Sequence, residues 1–276
     1  MIHIRDLSFQ YGKNKIYDQF NLTLDEPGIH GLFGTNGTGK STLLKIINGL
    51  LFPTTGQCEV FGESSPQRSP DLLEKIYYLP EEIDSPAITA QAFGALKGAF
   101  YPKFDMAKLN ELLMLFGIPE NKSMHEMSYG QRKKAMIAIA LSTNAPVLLM
   151  DEPTNGLDIP SKLRFREAVK GFFHPEHTLI ISTHQVRDLD EIMNHLLILQ
   201  EGQILFQDSI ARIEQTFECF SANTTEDSSA SLFHYRNGDV SHHIRRNTTG
   251  RPSPVHLETL ISAFFEQPQA MKNAIQ

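Results

Sequence analysis

The chain has 276 residues, of which 41% are hydrophobic and 21% are charged, a composition typical of globular proteins and not of disordered or fibrous ones. Its formal net charge of −7 argues against a general affinity for nucleic acid or for anionic lipid. Two cysteines are too few for a disulfide framework. The first residues lack the apolar core of a secretory signal, and the most apolar stretch, residues 135–150, is too short to span a bilayer. Any membrane role is therefore expected to need a partner.

The N-terminal residues predict a β-hairpin, then a strand that leads into a glycine-rich loop. Apolar and polar residues alternate over residues 2–9 and again over residues 20–24, on either side of a Gly-Lys-Asn turn. The apolar run of residues 28–33 precedes the loop, and residues 41–50 are typical of a helix. We therefore expect hairpin, buried strand and helix in this order.

Buried strands that alternate with helices are predicted further along the chain. Short apolar runs at residues 147–150 and 179–182 each precede a loop and a helical stretch. Residues 84–126 predict a separate helical lobe, and residues 196–206 predict a hairpin that turns at Glu201-Gly202. This order favours an α/β fold with a parallel sheet and crossover helices.

The residues beyond about Ser209 have a different character. Residues 224–231 are polar and typical of a loop, and residues 233–240 predict a hairpin, because Asn237-Gly238 readily adopts a type I′ turn. A packed terminal helix is predicted by apolar residues that share one helical face: Leu257, Leu260, Ile261, Phe264 and Phe265.

The most specific motif is the loop at residues 34–41, Gly-Thr-Asn-Gly-Thr-Gly-Lys-Ser, which fits G-x-x-x-x-G-K-[ST] between a strand and a helix. Glycines let backbone N–H groups turn towards phosphate oxygens, and the helix N-terminus adds a favourable dipole. Lys40 is a candidate for contact with the β- and γ-phosphates, and Ser41 for Mg²⁺. An ordinary glycine-rich turn is the alternative, but a chain of average composition would match the four fixed positions only about 1% of the time.

Two acids follow the strand predicted at residues 147–150. Acids at the C-terminal end of a buried strand lie where α/β sheets bind ligands. Asp151 is a candidate for holding Mg²⁺, directly or through water, and Glu152 for polarising an attacking water. Taken alone, the pattern fits a strand that leaves the core equally well, so its interpretation depends on the glycine-rich loop.

A third motif, Met-Ser-Tyr-Gly-Gln-Arg at residues 127–132, precedes a long helix predicted over residues 131–142. Ser128 is a suitable N-cap, which would leave the helix presenting N–H groups and the positive end of its dipole. A capped helix without further function is the alternative. The basic run at residues 132–134 is interpreted as a solvated helix face.

Together these segments resemble the ABC ATPases, in order from about Ile2 to Ser209. The glycine-rich loop is similar to the Walker A motif, residues 147–152 to the Walker B strand with its glutamate, and residues 127–131 to the signature, usually Leu-Ser-Gly-Gly-Gln. Residues 155–158 resemble the D-loop, and residues 180–184 resemble the switch-histidine segment. Tyr11 lies where the family stacks an aromatic ring on adenine.

Two positions depart from the family pattern. Glu81, in the run Tyr-Leu-Pro-Glu, replaces the glutamine of the Q-loop; it can still ligate Mg²⁺ but adds a negative charge beside the phosphates. Tyr129 replaces a signature glycine, where a close backbone approach to the γ-phosphate is expected. Both departures, with the segment at residues 101–105, resemble a branch of bacterial export-type subunits, so we interpret them as subgroup markers and not as loss of activity.

The resemblance implies a P-loop NTPase fold of the ABC type, with an antiparallel β subdomain, a helical signature lobe and a small C-terminal extension. We expect the ATPase domain over residues 1–210, with its helical lobe at about 84–143. The accessory segment, a hairpin and a terminal helix, is expected over residues 211–276.

The resemblance also implies the residues of an ATPase site with ATP and Mg²⁺ as cofactors. Catalytic roles are implied for Glu152, His184 and Lys40. Contacts with ATP are implied for Tyr11, Gly34, Asn36, Gly37, Thr38, Gly39, Lys40, Ser41, Thr42, Ser128, Gly130, Gln131 and Asp158. Mg²⁺ is implied at Ser41, Glu81 and Asp151.

The partners implied are a second ATPase subunit, in a homodimer or heterodimer that closes head to tail, and an integral membrane permease. The chain is then expected to be cytoplasmic, held at the inner face of the cell membrane through the permease, and to drive transport in the export direction. No nucleic-acid partner is expected. Most of the aromatic residues of the helical lobe should form its core, and some should line the surface near Glu81 that takes a cytoplasmic helix of the permease: Phe93, Phe100, Tyr101, Phe104 and Phe116.

The alternative is a soluble ABC ATPase that acts on nucleic acid or ribosomes. The span between Ser41 and Ser128 is too short for the long coiled coil that DNA-repair relatives insert there. Translation-type relatives carry two ATPase domains in one chain, whereas this chain has one. The transported substrate is not predicted, since selectivity lies in the permease.

Overall fold

The computed structural model describes residues 1–223, 231–237 and 240–275. Its strands form a four-stranded, a six-stranded and a three-stranded sheet. The strands are β1 Ile2–Tyr11, β2 Asn14–Leu24, β3 Gly28–Phe33, β4 Thr55–Val60, β5 Glu63–Ser64, β6 Ile76–Leu79, β7 Val147–Asp151, β8 Thr178–Thr183, β9 His195–Gln200, β10 Gln203–Ser209, β11 Phe217–Asn223, β12 Phe233–Asn237 and β13 Val240–Arg246. The α-helices are α1 Lys40–Ile47, α2 Pro70–Leu73, α3 Ala90–Gly98, α4 Met106–Leu115, α5 Tyr129–Ser142, α6 Ile159–Phe172, α7 Ile210–Thr216, α8 Leu257–Glu266 and α9 Pro268–Asn273.

The six-stranded sheet has the order β10-β9-β3-β8-β7-β6. The pairs from β9 through β3, β8 and β7 to β6 are parallel, and only β10 runs antiparallel to its neighbour. The expected parallel sheet with crossover helices is confirmed. Parallel strands end at the same edge, so the loops that follow β3, β6, β7 and β8 meet there.

Both faces of this sheet are buried, which explains its continuous apolar strands. Along β7, Val147 and Leu149 pack in a cluster with the antiparallel sheet and α1. The alternate residues Leu148 and Met150 point to the other face and join a cluster with α4, α5 and α6. The period of two along the strand therefore assigns successive side chains to two different layers.

The four-stranded antiparallel sheet has the order β2-β1-β4-β5. The predicted hairpin of β1 and β2 is confirmed, and so is the hairpin of β9 and β10, whose turn at Glu201 and Gly202 has φ angles of 49° and 70°. Helix α1 ends at Ile47, earlier than the expected residue 50, because Gly49 takes a left-handed φ of 68°. The short strands β4 and β6 were missing from the prediction.

Residues 84–126 are mainly helical, as expected. Helices α3 and α4 pack on α5, and their core contains the buried rings of Phe93 and Phe116. Tyr101 and Phe104 are partly buried against that core, whereas Phe100 is 69% exposed. The expected division of these aromatic residues between core and surface is confirmed.

The C-terminal residues form the sheet β11-β13-β12, against which α8 packs. Strands β12 and β13 pair as the predicted hairpin, while its turn at residues 238–239 and the polar segment at residues 224–230 lie outside the described residues. Strand β11 was not predicted. The terminal helix is confirmed: the ring of Phe264 is fully buried and stacks on Phe206 of β10, with the ring centroids 4.2 Å apart. The boundary between residues 210 and 211 stays a prediction.

Across residues 1–223, 231–237 and 240–275, the helices are too short or too polar for any of them to cross a membrane.

Replacing Phe264 with alanine should lower the free energy of unfolding by about 3–5 kcal/mol, because a fully buried ring leaves a cavity where α8 meets β10. Denaturant unfolding followed by circular dichroism measures this loss. The control is Phe265→Ala at the adjacent, half-buried position, which should lose much less. Equal losses for the two variants would contradict the packing of Phe264 against β10.

Candidate nucleotide-binding site

A cavity of about 480 Å³ lies at the edge of the sheet where the loops after β3, β6, β7 and β8 meet. It is lined by Tyr11, Asn14, Ile16, Asn36, Gly37, Gly39, Lys40, Ser41, Thr42, Glu81, Glu152, Asn155 and His184. Most of the residues that the sequence assigns to the site therefore lie around one space. Gly34, Thr38 and Asp151 are not among the residues that line it.

The shape of the glycine-rich loop depends on Gly39, the N-cap residue of α1. Gly39 has a φ of 106°, and an added Cβ would lie 2.6 Å from the Tyr17 hydroxyl and 2.9 Å from Ile16. That hydroxyl donates a hydrogen bond of 2.7 Å to the Gly39 carbonyl. Tyr17 lies in β2, is fully buried, and holds the loop through this hydrogen bond. The sequence alone does not predict this role.

Lys40 carries a buried positive charge across the loop. Its Nζ donates to the carbonyl oxygens of Gly34 at 2.8 Å and Thr35 at 3.2 Å. Burial lowers the pKa of Lys40, and the negative charges of Glu152, Asp151 and Glu81 oppose that shift. The ammonium is thus held beside a cavity whose other side carries acids.

Asp151 ends β7, and hydroxyl groups from both neighbouring strands hold its carboxylate. Ser182 of β8 donates to Oδ1 at 2.5 Å, and Tyr78 of β6 donates to Oδ2 at 3.3 Å. Burial and the Asp151 charge raise the pKa of Tyr78, so its hydroxyl stays protonated as a donor. Neither Ser182 nor Tyr78 was singled out for this role from the sequence, because their pairing with Asp151 depends on the strand order.

Glu152 follows with a left-handed φ of 45°, a strained conformation of the kind often found at functional sites. The Ser182 carbonyl accepts a hydrogen bond of 3.0 Å from its amide, and its Oε1 lies 2.9 Å from Nδ1 of His184. Its Oε2 is buried and has no hydrogen-bond partner among the described residues. A buried acceptor of this kind is suited to a bound water or substrate.

Glu81 joins the same cavity from the loop after β6. Its Oε1 accepts a hydrogen bond of 2.9 Å from Nδ2 of Asn155, in the segment that resembles the D-loop. Its backbone carbonyl accepts a second bond, of 2.8 Å, from Lys133 of α5. Lys133 is fully buried, so the interpretation of residues 132–134 as a solvated face is wrong for this residue. In the folded chain the Lys133 side chain packs beside the Tyr129 ring and reaches the loop after β6.

The signature residues do not line this cavity. Ser128 caps α5, where its Oγ accepts from the Gln131 amide at 3.3 Å and its own amide donates to the Gln131 side chain at 3.1 Å. The predicted N-cap is confirmed. Gly130 and Asp158 likewise do not line the cavity. Asp158 caps α6, where its Oδ1 accepts a hydrogen bond of 2.9 Å from the Ser161 amide.

Replacing Gly39 with alanine should lower the free energy of unfolding by roughly 1–3 kcal/mol, because both its φ and the Tyr17 hydroxyl exclude a Cβ. Gly171→Ala is the matched control in α6: an added Cβ there meets nothing within 4 Å. Since alanine favours a helix, the control should keep or raise stability by up to about 1 kcal/mol. Denaturant unfolding compares the two variants, and losses of similar size would contradict the assignment.

Several known proteins are similar to this chain, and they share one family. The model of the ABC transporter family matches residues 17–155. The ABC transporter ATP-binding protein YtrB of Bacillus subtilis is 27% identical over 208 residues, which are 74% of this chain and 70% of that protein. The bacitracin transport ATP-binding protein BcrA of Bacillus licheniformis is 29% identical over 209 residues, 74% of this chain and 68% of that protein.

Among solved structures, a dimeric ATP-binding cassette in a post-hydrolysis state, bound to ADP and Pi, has a TM-score of 0.66. It is 22% identical and covers 76% of this chain and 98% of its own, which supports the ABC ATPase fold. The family match covers half of the chain and includes the glycine-rich loop, Glu81, the signature and the acids after β7. The chain therefore belongs to the ABC transporter family.

Proposed function

We propose that the protein hydrolyses ATP as the motor subunit of a membrane transporter. The observation that carries this proposal is the convergence of Lys40, Glu152 and His184 on one cavity. Export is supported by the resemblance of Glu81 and Tyr129 to an export-type branch. BcrA, a relative named for bacitracin transport, supports a role in transport without giving its direction.

The glycine-rich loop is suited to the phosphates of ATP. Its backbone precedes the N-terminus of α1, where helix N–H groups and the dipole favour an anion. Lys40 adds a positive charge for the β- and γ-phosphates, and Thr42 lies in the same cavity. Tyr11, 47% exposed at this cavity, offers its ring face for stacking on adenine.

Hydrolysis is assigned to water positioned by Glu152. The Oε2 of Glu152 takes a proton from that water as the water oxygen bonds to the γ-phosphorus; the bond from the γ-phosphorus to the β–γ bridging oxygen breaks, and ADP leaves. His184 holds Oε1 at 2.9 Å and so fixes the carboxylate, while its imidazole reaches the γ-phosphate. Lys40 stabilises the negative charge on the phosphates in the transition state.

The residues assigned to Mg²⁺ fit that ion chemically. Ser41 offers a hydroxyl, and Glu81 and Asp151 offer carboxylates, the oxygen ligands that Mg²⁺ prefers. The hydroxyl groups of Ser182 and Tyr78 donate hydrogen bonds that orient the Asp151 carboxylate, as groups hydrogen-bonded to metal ligands do. When bound, Mg²⁺ supplies positive charge that offsets the charge of the phosphates.

A second ATPase subunit, identical or different, completes the site in this proposal. The cavity of this chain is not lined by Ser128, Gly130, Gln131 or Asp158, which supports their assignment to a nucleotide held by another subunit. Head-to-tail closure would bring the N-terminus of α5 to that nucleotide. The dimeric arrangement of the structural relative supports this assignment.

A membrane permease is the proposed transport partner. A groove of about 740 Å³ is lined by Leu50, Ile83, Phe100 and Tyr101, among others, and Ile83 connects it to the loop that carries Glu81. Exposed apolar residues in such a groove are suited to a short cytoplasmic helix of a permease. The protein would then lie in the cytoplasm, at the inner face of the cell membrane.

Replacing Glu152 with glutamine should reduce ATP turnover about 10²–10⁴-fold and leave ATP binding intact, because the amide keeps the shape but loses the basic oxygen. Lys40→Ala should instead weaken nucleotide binding, since the phosphates lose their cation. Phosphate release and fluorescent-nucleotide titration separate the two effects. The control is Glu176→Gln, an exposed glutamate outside the cavity. Normal turnover in Glu152→Gln would show that another group positions the water.

Affinity purification from solubilised membranes should recover the chain with an integral membrane protein. Phe100→Ser should lower this recovery about tenfold, because it removes an exposed ring from the groove, with no change in the unfolding midpoint. Met114→Ser, which removes an exposed apolar side chain outside that groove, is the control. Recovery with ribosomes or nucleic acid, and without a membrane protein, would favour the soluble ATPase instead.

A further inference from the structure

Two side chains of α5 turn back from the signature to the nucleotide cavity of their own chain. The Tyr129 hydroxyl donates to the Glu81 carbonyl oxygen at 3.3 Å, and the Lys133 ammonium donates to the same oxygen at 2.8 Å. The ammonium also lies 3.5 Å from the Tyr129 hydroxyl and 5.7 Å from the centroid of its ring. Tyr129 and Lys133 lie one helical turn apart, so they reach this carbonyl as a pair.

The same pair contacts the D-loop segment. The Tyr129 ring covers Gly156, where an added Cβ would lie 3.0 Å from the ring. The residue before Gly156, Asn155, holds the Glu81 carboxylate at 2.9 Å. Glu81 is therefore held at its carbonyl by α5 and at its carboxylate by the D-loop segment.

Charge gives Lys133 a second role. Its hydrogen bonds go to neutral oxygens. Burial lowers the pKa of Lys133, and the negative charges of Glu81, Asp151 and Glu152, which also act on Lys40, oppose that shift. Glu81 brings a negative charge to the position where the family usually has a neutral glutamine. The buried Lys133 ammonium, which is hydrogen-bonded to the Glu81 carbonyl oxygen, offsets that charge, which would otherwise repel the phosphates of ATP.

We propose that Lys133 and Tyr129 are positioning residues for ATP hydrolysis: they tie Glu81 to the first turns of α5, and Lys133 compensates the Glu81 charge. This inference rests on the function proposed above. Ser128 and Gly130, at the start of the same helix, would serve the nucleotide of the second subunit. Glu81 would lie beside the nucleotide of its own subunit, and the signature would contact the nucleotide of the second subunit. The contacts of Lys133 and Tyr129 thus link the two nucleotide sites.

The test is a double-mutant cycle in the full chain, with the Glu152→Gln substitution present so that bound ATP is not consumed. The readout is the dissociation constant of a fluorescent ATP analogue in the presence of Mg²⁺. Lys133→Met, which removes charge at similar volume, should weaken binding about tenfold. Adding Glu81→Gln should restore affinity to within about threefold of the parent, because the uncompensated carboxylate is gone. Lys134→Met, the next lysine on the same helix, should bind like the parent.

Tyr129→Phe gives a second arm that keeps the ring on Gly156 and removes only the hydroxyl. In the background that can hydrolyse ATP, it should lower kcat about threefold to tenfold and leave KM unchanged, because binding groups remain while Glu81 is held less well. Each variant is checked by its unfolding midpoint. If Lys133→Met does not fold, Tyr129→Phe and Lys133→Gln carry the test.

Loss of affinity in Lys133→Met that Glu81→Gln does not restore would overturn the charge compensation. Parent-like behaviour of both Lys133→Met and Tyr129→Phe would overturn the positioning role. In either case a parent chain that binds and hydrolyses ATP keeps the proposed function. A parent chain that binds no nucleotide would overturn the proposed function itself, so the two failures are distinguishable.

Discussion

Two buried ammonium groups, those of Lys40 and Lys133, impose the main constraint on this molecule. Lys40 is 7% exposed and Lys133 is fully buried. A charge out of water is stable only where hydrogen bonds and opposite charges replace its hydration. Both ammonium groups donate to backbone carbonyls, and both lie in the field of Glu81, Asp151 and Glu152. The acids stabilise the cations, and the cations reduce the repulsion among the acids around the proposed phosphate site.

The parallel sheet is what brings these charges together. Strands β6, β7, β8 and β3 are neighbours that run in the same direction, so each contributes a loop to one edge. Glu81 follows β6, Asp151 and Glu152 mark the end of β7, and His184 follows β8. The antiparallel sheet then supplies Tyr17, whose hydroxyl holds the glycine-rich loop. A change in strand order would separate the groups even if every motif were kept.

The parts of this structure that could be predicted are those whose physics is local. The loop at residues 34–41 and the N-cap at Ser128 are each specified within a few residues, and both were recognised. Strand β6 was missed because four residues are too short for a period to show. Lys133 was misread because its partner, the Glu81 carbonyl, lies 52 residues away along the chain. A role that depends on contact between distant loops cannot be predicted from the local sequence pattern.

The two departures from the family pattern, Glu81 and Tyr129, become one feature in three dimensions. The Tyr129 side chain turns towards its own subunit, with its ring on Gly156 and its hydroxyl on the Glu81 carbonyl. At Gly130, by contrast, an added Cβ would make only ordinary contacts, 3.8 Å from Leu157 and 4.0 Å from the Gly156 carbonyl oxygen. The tyrosine that replaces the first signature glycine therefore packs within its own subunit. Since Lys133 binds the same carbonyl, the larger side chain and the extra carboxylate are accommodated by a single network.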